Sequence, residues 1–191
     1  MARPLSVTDD QILEATERVV ARFGAHRLTI SQVARDVGLS RAAITLRFNG
    51  TDALKRLVME RMVNRFEADL AAMRIDHGAS GLLAIAEMLG GKLKGREQFS
   101  NFWIRFTSNI HDPVMLEMEE RRGHALRSLI ARAMPETAIG TEEAVELFMA
   151  MMTGSIINWQ VGNHPDAGAF LRERAQAWIS LAGIPLDGKR S

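Results

Sequence analysis

The sequence of 191 residues predicts an all-α protein. Apolar residues recur at spacings of three and four along most of the chain, which is the period of an amphipathic helix. Proline and glycine are scarce within these stretches, and no segment of useful length alternates as a strand would. With 47% apolar and 25% charged residues, the composition is that of a globular protein and excludes a disordered or collagen-like chain.

Composition also excludes several kinds of chemistry. The chain contains no cysteine, which excludes a disulfide scaffold, a thiolate zinc site and a cysteine nucleophile. Its longest apolar run, Leu147 to Met152, is too short to span a bilayer, and no signal-peptide core follows the first residues. We therefore expect a soluble, cytoplasmic protein.

The first helix is predicted over residues 9–23. Thr8 is followed three residues later by Gln11, which is the spacing of a capping box. Gly24 is a natural stop, because glycine tolerates the backbone conformation that follows many helix ends.

Two short helices follow the first. Thr29 and Gln32 repeat the capping-box spacing and open a helix that ends before Gly38. Ser40 is the predicted N-cap of the next helix, which ends at Phe48.

A long helix from about 51 to 75 and several later helices complete the chain. Asp112-Pro113 and His164-Pro165 each place a proline at a predicted first helical position, where its missing N–H costs little. The later helices are predicted over 80–94, 96–110, 113–133, 142–161 and 166–182.

The two short helices form a predicted helix-turn-helix. Ala34 is small where the helices must approach each other, and Leu39 can fill the gap between them. In such a unit the second helix can lie in the major groove of DNA. A modest excess of basic residues supports this reading, since residues 27–47 contain four arginines and one aspartate.

The outer face of the second of these helices combines short side chains with hydrogen-bond donors. Ala42 and Ala43 allow close approach and can touch thymine methyl groups. Arg41 is the candidate for base readout and Arg47 for a phosphate contact. The predicted DNA-contact residues are Thr29, Ser40, Arg41, Ala42, Ala43, Thr45 and Arg47.

A wider pattern surrounds this motif between about residues 9 and 60. It comprises Ile12, Ala15, Phe23-Gly24, Leu28-Thr29-Ile30, Val33-Ala34, Val37-Gly38-Leu39-Ser40, Ile44, Phe48 and Asp52-Ala53-Leu54. In these residues the chain resembles the TetR (tetracycline-repressor-like) family of bacterial transcription regulators. The resemblance implies a helix-turn-helix DNA-binding domain over residues 1–50. It also implies a larger helical domain over residues 51–191 that dimerises and binds an effector.

Three positions depart from the family pattern. Thr45 stands where the family usually has Tyr, Arg47 where it has Tyr or His, and Thr51 where it has Lys. Those family residues commonly contact DNA phosphates, and Arg47 is a stronger phosphate ligand than histidine. The departures imply a different operator preference or weaker binding.

The last two predicted helices are candidates for a dimer interface. The helix over 142–161 is apolar on nearly every side and must be buried on two faces. We expect both helices to pair with their symmetry mates as a four-helix interface, the alternative being the core of a monomeric bundle. The predicted interface residues are Phe148, Met152, Ile156, Trp159, Phe170 and Trp178.

The family resemblance also implies an effector pocket, for which methionine and aromatic side chains are the candidates. The alternative is that these residues are ordinary core. No charged residue lies among these methionine and aromatic side chains to indicate a charged ligand. We therefore expect an apolar or amphipathic ligand, with no metal and no cofactor. The candidate residues are Met62, Phe66, Met88, Phe99, Phe102, Trp103, Phe106 and Met118.

Together these features predict a ligand-responsive repressor that binds a palindromic operator as a homodimer and is released by its effector. One alternative keeps the fold but weakens DNA binding, leaving a module that binds a small molecule or a protein. Another is an all-α enzyme, although no Ser/His/Asp or paired-carboxylate arrangement can be picked out. Glu117, Glu120 and His124 have a spacing at which a metal is conceivable, but a solvated helix face is the simpler interpretation.

Overall fold

The computed structural model describes residues 7–93 and 111–186. Within these ranges the chain forms helices and no strand, which confirms the all-α prediction. The helices are α1 (Asp9–Phe23), α2 (Ile30–Val37), α3 (Arg41–Phe48), α4 (Thr51–Ala72), α5 (Ala79–Gly91), α6 (Pro113–Ala133), α7 (Thr141–Val161) and α8 (Ala167–Leu181), with a short 3₁₀ turn at Ala25–Arg27. The helix predicted over 96–110 lies outside the described residues. None of the described helices has both the length and the apolar character needed to cross a membrane.

The described residues divide into two compact units. Unit 1 comprises residues 7–67 and 111–121, and unit 2 comprises residues 68–93 and 122–186. The domain boundary predicted after residue 50 stays a prediction. The apolar core of unit 1 continues past that position into α4 and α6.

Local capping explains where the first helices begin and end. Both predicted capping boxes form, at Thr8 with Gln11 and at Thr29 with Gln32. Gly24, with φ of 84°, follows the last residue of α1 and donates its N–H to the Val20 carbonyl. A side chain at such a positive φ is strained, so glycine suits this position.

Unit 1 has one apolar core to which five helices contribute. α1, α2 and α3 supply their inward faces, and the first half of α4 and the start of α6 close the core. Its buried members are Ile12, Ala15, Val19, Val20, Ala25, Leu28, Val33, Ala34, Ile44, Phe48, Leu54, Val58, Met59, Val63, Met115 and Met118.

Ion pairs join α1 to α4 across the surface of this core. Arg61 pairs with Asp10 at 2.7 Å and with Glu17 at 3.1 Å, and Arg65 also reaches Glu17 at 3.0 Å. The hydrogen bond to Asp10 is the main reason that the pKa of Arg61 is raised above its usual value. The resulting network favours one placement of α1 along α4.

The start of α6 is fixed by Asp112. Its Oδ1 accepts from the backbone N–H of Val114 at 3.0 Å, and its Oδ2 accepts from Lys55 Nζ at 2.6 Å. The Lys55 hydrogen bond is the largest cause of the lowered pKa of this carboxyl. Pro113 is the first helical residue, as predicted. Pro165 is not, because Asp166 caps α8, which begins one residue later.

Unit 2 depends on a close approach between α5 and α8. A Cβ atom added at Gly90 would lie 2.5 Å from the Cα of Gly168 and 2.7 Å from the carbonyl oxygen of Ala167. These neighbours are backbone atoms, so no side-chain movement could make room. Gly90 is therefore needed for the packing of α5 against α8. A Cβ at Gly91, by contrast, would meet nothing within 4 Å.

The remaining helices of unit 2 are held by side-chain contacts. Phe148 of α7 meets Trp178 of α8 edge to face, with ring centroids 5.1 Å apart. Arg132 of α6 donates to the carbonyls of Leu70, Ala71 and Met73, at the end of α4. A cation there complements the negative end of the helix dipole.

We expect Gly90→Ala to destabilise the protein by about 1–3 kcal/mol, because overpacking against backbone forces the two helices apart. Gly91→Ala is the matched control in the same helix. It should leave stability unchanged or raise it by up to about 1 kcal/mol, the helix-propensity difference between the two residues. Urea unfolding followed by circular dichroism measures both. Equal stability of the two variants would contradict the close approach of α5 and α8.

Candidate nucleic-acid interface

α2 and α3 are joined by a turn whose geometry is fixed by backbone hydrogen bonds. Gly38 adopts the left-handed conformation with φ of 70°. The N–H of Leu39 then donates to the Ala34 carbonyl at 3.0 Å. Ser40 begins the next helix, and its Oγ accepts from the N–H of Ala43 at 3.1 Å. These bonds define the direction in which α3 leaves the turn.

The inward side of α3 anchors the helix in the core of unit 1. Ile44 is fully buried and Phe48 nearly so, four residues apart on one helix face. Val33 and Ala34 of α2 belong to the same core. The opposite side of α3 must therefore face solvent.

That opposite side carries a shallow depression, which we call the α3 outer face. Its lining residues are Arg41, Ala42, Thr45 and Leu46. All four are exposed, and Leu46 is exposed over 87% of its surface. The surface offers one cation, one hydroxyl and two apolar side chains to a partner.

The predicted contact residues do not all lie on this face. Arg41, Ala42 and Thr45 do, whereas Ala43 is half-buried beside it. Thr29 and Ser40 are exposed, but their hydroxyls cap α2 and α3. Thr29 and Ser40 therefore stand at helix N-termini, where backbone N–H groups without an acceptor in the helix can face a phosphate.

Arg47 has intramolecular partners that the sequence did not reveal. Its Nη2 lies 2.8 Å from Asp9 Oδ1, and its Nη1 donates to the Val7 carbonyl at 2.7 Å. The arginine thus joins the end of α3 to the start of α1. Contact with a phosphate would have to replace or share the interaction with Asp9.

Most of the exposed charged side chains in residues 27–47 are cationic. Asp36, the one acidic residue in the 27–47 segment, is paired with Arg18 of α1. Arg27, Arg35 and Arg41 are exposed. Exposed arginines in this segment favour contact with a polyanion.

The predicted effector residues are spread over both units. Met118 is fully buried in the core of unit 1, and Met62 and Phe66 are half-buried in the same unit. Met62 also lines a shallow groove with charged side chains of α1 and α4. Met88 is half-buried in unit 2. Phe99, Phe102, Trp103 and Phe106 lie outside the described residues.

The predicted interface residues lie mainly inside the chain's own core. Phe148, Met152, Trp159 and Phe170 are buried within the single chain, while Ile156 and Trp178 are half-buried. Of the predicted interface residues, Ile156 and Trp178 thus remain partly accessible to a partner. In the described ranges, no group of three or more metal-ligating side chains comes together.

Residues 12–56 match the sequence model of a family described as bacterial regulatory proteins, tetR family. The match begins in α1, contains all of α2 and α3, and ends in α4. The matched part of the chain is therefore similar to the TetR family. This confirms the resemblance found in the sequence.

A curated relative and several solved structures are also similar to this chain. The HTH-type transcriptional regulator BetI of Yersinia pestis (strain Pestoides F) is 25% identical over 123 residues. That alignment covers 62% of this chain and 62% of BetI, so less than two thirds of the relative is matched.

Two solved structures show the same fold. A TetR transcription regulator from Haloarcula marismortui has a TM-score of 0.71 at 14% identity, covering 92% of this chain and 97% of that one. FadR from Bacillus subtilis, in complex with stearoyl-CoA, has a TM-score of 0.56 at 16% identity, covering 91% and 98%. At these identities the likeness concerns the fold alone.

Sequence reasoning missed two residues of the candidate interface. Leu46 lies four residues after Ala42 and next to Thr45, a spacing that places all three on one helix face. That spacing could have identified it. Asp9 gave no such signal, because its partner Arg47 is far away in sequence.

Proposed function

We propose that this protein is a cytoplasmic transcriptional regulator of the TetR family that binds a palindromic DNA operator as a homodimer. The observation that carries the proposal is the α3 outer face. It lies on a helix that is anchored in the core by Ile44 and Phe48 and that carries Arg41 and Arg47. A major groove admits such a helix, and short side chains let it approach the bases.

Each polar group at this interface has a proposed role. Arg41 at the start of α3 can pair with a guanine edge, and Thr45 can donate one hydrogen bond. Arg47 contacts a phosphate when it leaves Asp9. Thr29 and Ser40 place the N–H groups of two helix starts toward the backbone of DNA.

The dimer is proposed to form through the outward side of α7. Leu147, Gly154 and Val161 follow one another at intervals of seven residues, and Ile157 lies between the last two. Leu147, Ile157 and Val161 are exposed, and a Cβ at Gly154 would meet nothing within 4 Å. A stripe of this kind suits a helix pair related by twofold symmetry.

The effector is proposed to be apolar or amphipathic and to release a repressor from its operator. FadR, which has the same fold, was crystallised with stearoyl-CoA, so this fold can hold an amphipathic molecule. An effector acts only through a difference in affinity between the DNA-binding and released states. We expect such a molecule to raise the midpoint of thermal unfolding. A broad screen of amphipathic compounds without any shift would contradict this part of the proposal.

A second candidate function keeps the fold without operator binding. The observation that favours it is the pairing of Arg47 with Asp9, together with Thr45 and Thr51 at positions where the family has phosphate contacts. The protein would then bind a small molecule or another protein through its helical body. DNA binding distinguishes the two functions.

We expect the protein to select specific sequences from a pool of random DNA and to bind them in fluorescence anisotropy more tightly than competitor DNA. Higher salt should weaken the complex, because the arginines displace condensed cations. Failure to enrich any sequence would contradict the proposed function and favour the second candidate.

Arg47→Ala should weaken binding to specific and competitor DNA alike, because a phosphate contact carries no sequence information. Asp9→Asn is its matched control at the other end of the same ion pair. It should leave binding unchanged or strengthen it, since it removes a carboxylate that competes with phosphate. If both variants bind equally weakly, the ion pair matters for the fold and Arg47 is not a phosphate ligand.

Ile157→Glu should shift the protein from dimer to monomer in light scattering at micromolar concentration, because a charge would be buried in the interface. Ile139→Glu is a matched control in the loop before α7, where Ile139 is 53% exposed. It should remain dimeric. A wild-type monomer, or a dimeric Ile157→Glu, would contradict the proposed interface.

A further inference from the structure

Leu46 stands out on the surface of unit 1. Among the described large hydrophobic side chains, only Leu181 is as exposed, at the same 87%. A single exposed leucine is common on protein surfaces. This one, however, lies in the depression that it shares with Ala42 and Thr45. Three apolar or methyl-bearing side chains thus form one outward patch.

The rest of α3 offers few groups for reading bases. Adenine is usually read by Asn or Gln and cytosine by Asp or Glu, and none of these residues occurs within α3. Arg47 is engaged by Asp9 and Val7. Arg41 and Thr45 are therefore the polar readers available on the α3 outer face, and the remainder of that face is apolar.

The apolar group that a base pair presents in the major groove is the 5-methyl of thymine. Aliphatic side chains discriminate thymine by contact with that methyl group. The size and position of Leu46 suit such a contact, since its side chain is held outward by the burial of Ile44 and Phe48. Ala42, one turn earlier, is short enough to let the helix approach.

We propose that Leu46 is a specificity-determining residue that reads thymine through its methyl group, with Ala42 beside it. The inference rests on the proposed DNA-binding function. Charge favours DNA over a protein as the occupant, because Arg41 lies on the same face and α3 carries no carboxylate. The operator should accordingly contain a thymine in each half-site whose methyl group matters.

Replacement of thymine by deoxyuridine tests this directly, because it removes the methyl group and leaves base pairing unchanged. Each thymine of a selected operator is replaced in turn, and binding is measured by anisotropy. We expect about a four-fold loss of affinity for each contacted methyl, the equivalent of about 0.8 kcal/mol. Other thymines should show no change.

Leu46→Ala should bind the thymine and deoxyuridine operators equally, at about the affinity of the wild type for the deoxyuridine operator. Leu57→Ala is the matched control, since Leu57 is an exposed leucine on α4. It should keep the wild-type loss on deoxyuridine substitution. The difference between the two variants isolates the contact between Leu46 and the methyl group.

The remaining outcomes overturn the inference in distinguishable ways. If the wild type binds its operator but no deoxyuridine substitution weakens it, the inference is wrong and the proposed function stands. The same holds if Leu46→Ala keeps the methyl dependence, or if it changes the oligomeric state, which would make Leu46 a protein contact. If no sequence is selected at all, the proposed function and the inference fail together.

Discussion

The burial of Ile44 and Phe48 decides which side of α3 can meet a partner. The helix has only eight residues, so it is too short to be stable without its packing. Once these two side chains lie in the core of unit 1, Ala42, Thr45 and Leu46 must face outward. Core packing therefore decides which side chains of α3 are available to a partner.

Local signals in the sequence were sufficient to place the helix-turn-helix. The caps at Thr8, Thr29 and Ser40 each involve residues three positions apart, so spacing alone reveals them. The stops at Gly24 and Gly38 are equally local, because each depends on the conformation of one residue. For the same reason, the helical period was enough to predict that Ala42 and Thr45 face outward.

Interactions between distant residues could not be predicted in this way. Nothing near Arg47 in sequence indicates Asp9, and an all-round apolar α7 does not show which of its sides is internal. The choice of Phe148 and Met152 for an interface followed size and hydrophobicity, whereas the structure buries both within the chain. Gly90 likewise has no local signal, since its constraint is the backbone of α8.

The pairing of Arg47 with Asp9 affects how many ions would be released and taken up on DNA binding. When an unpaired arginine meets a phosphate, a condensed cation leaves the DNA and no ion need return to the protein. If Arg47 leaves Asp9 for a phosphate, as proposed, the vacated carboxylate would attract a cation from solution and offset part of that release. The number of phosphates contacted would then exceed the number inferred from salt dependence. Counting contacts from salt titrations alone would underestimate the footprint of this protein on DNA.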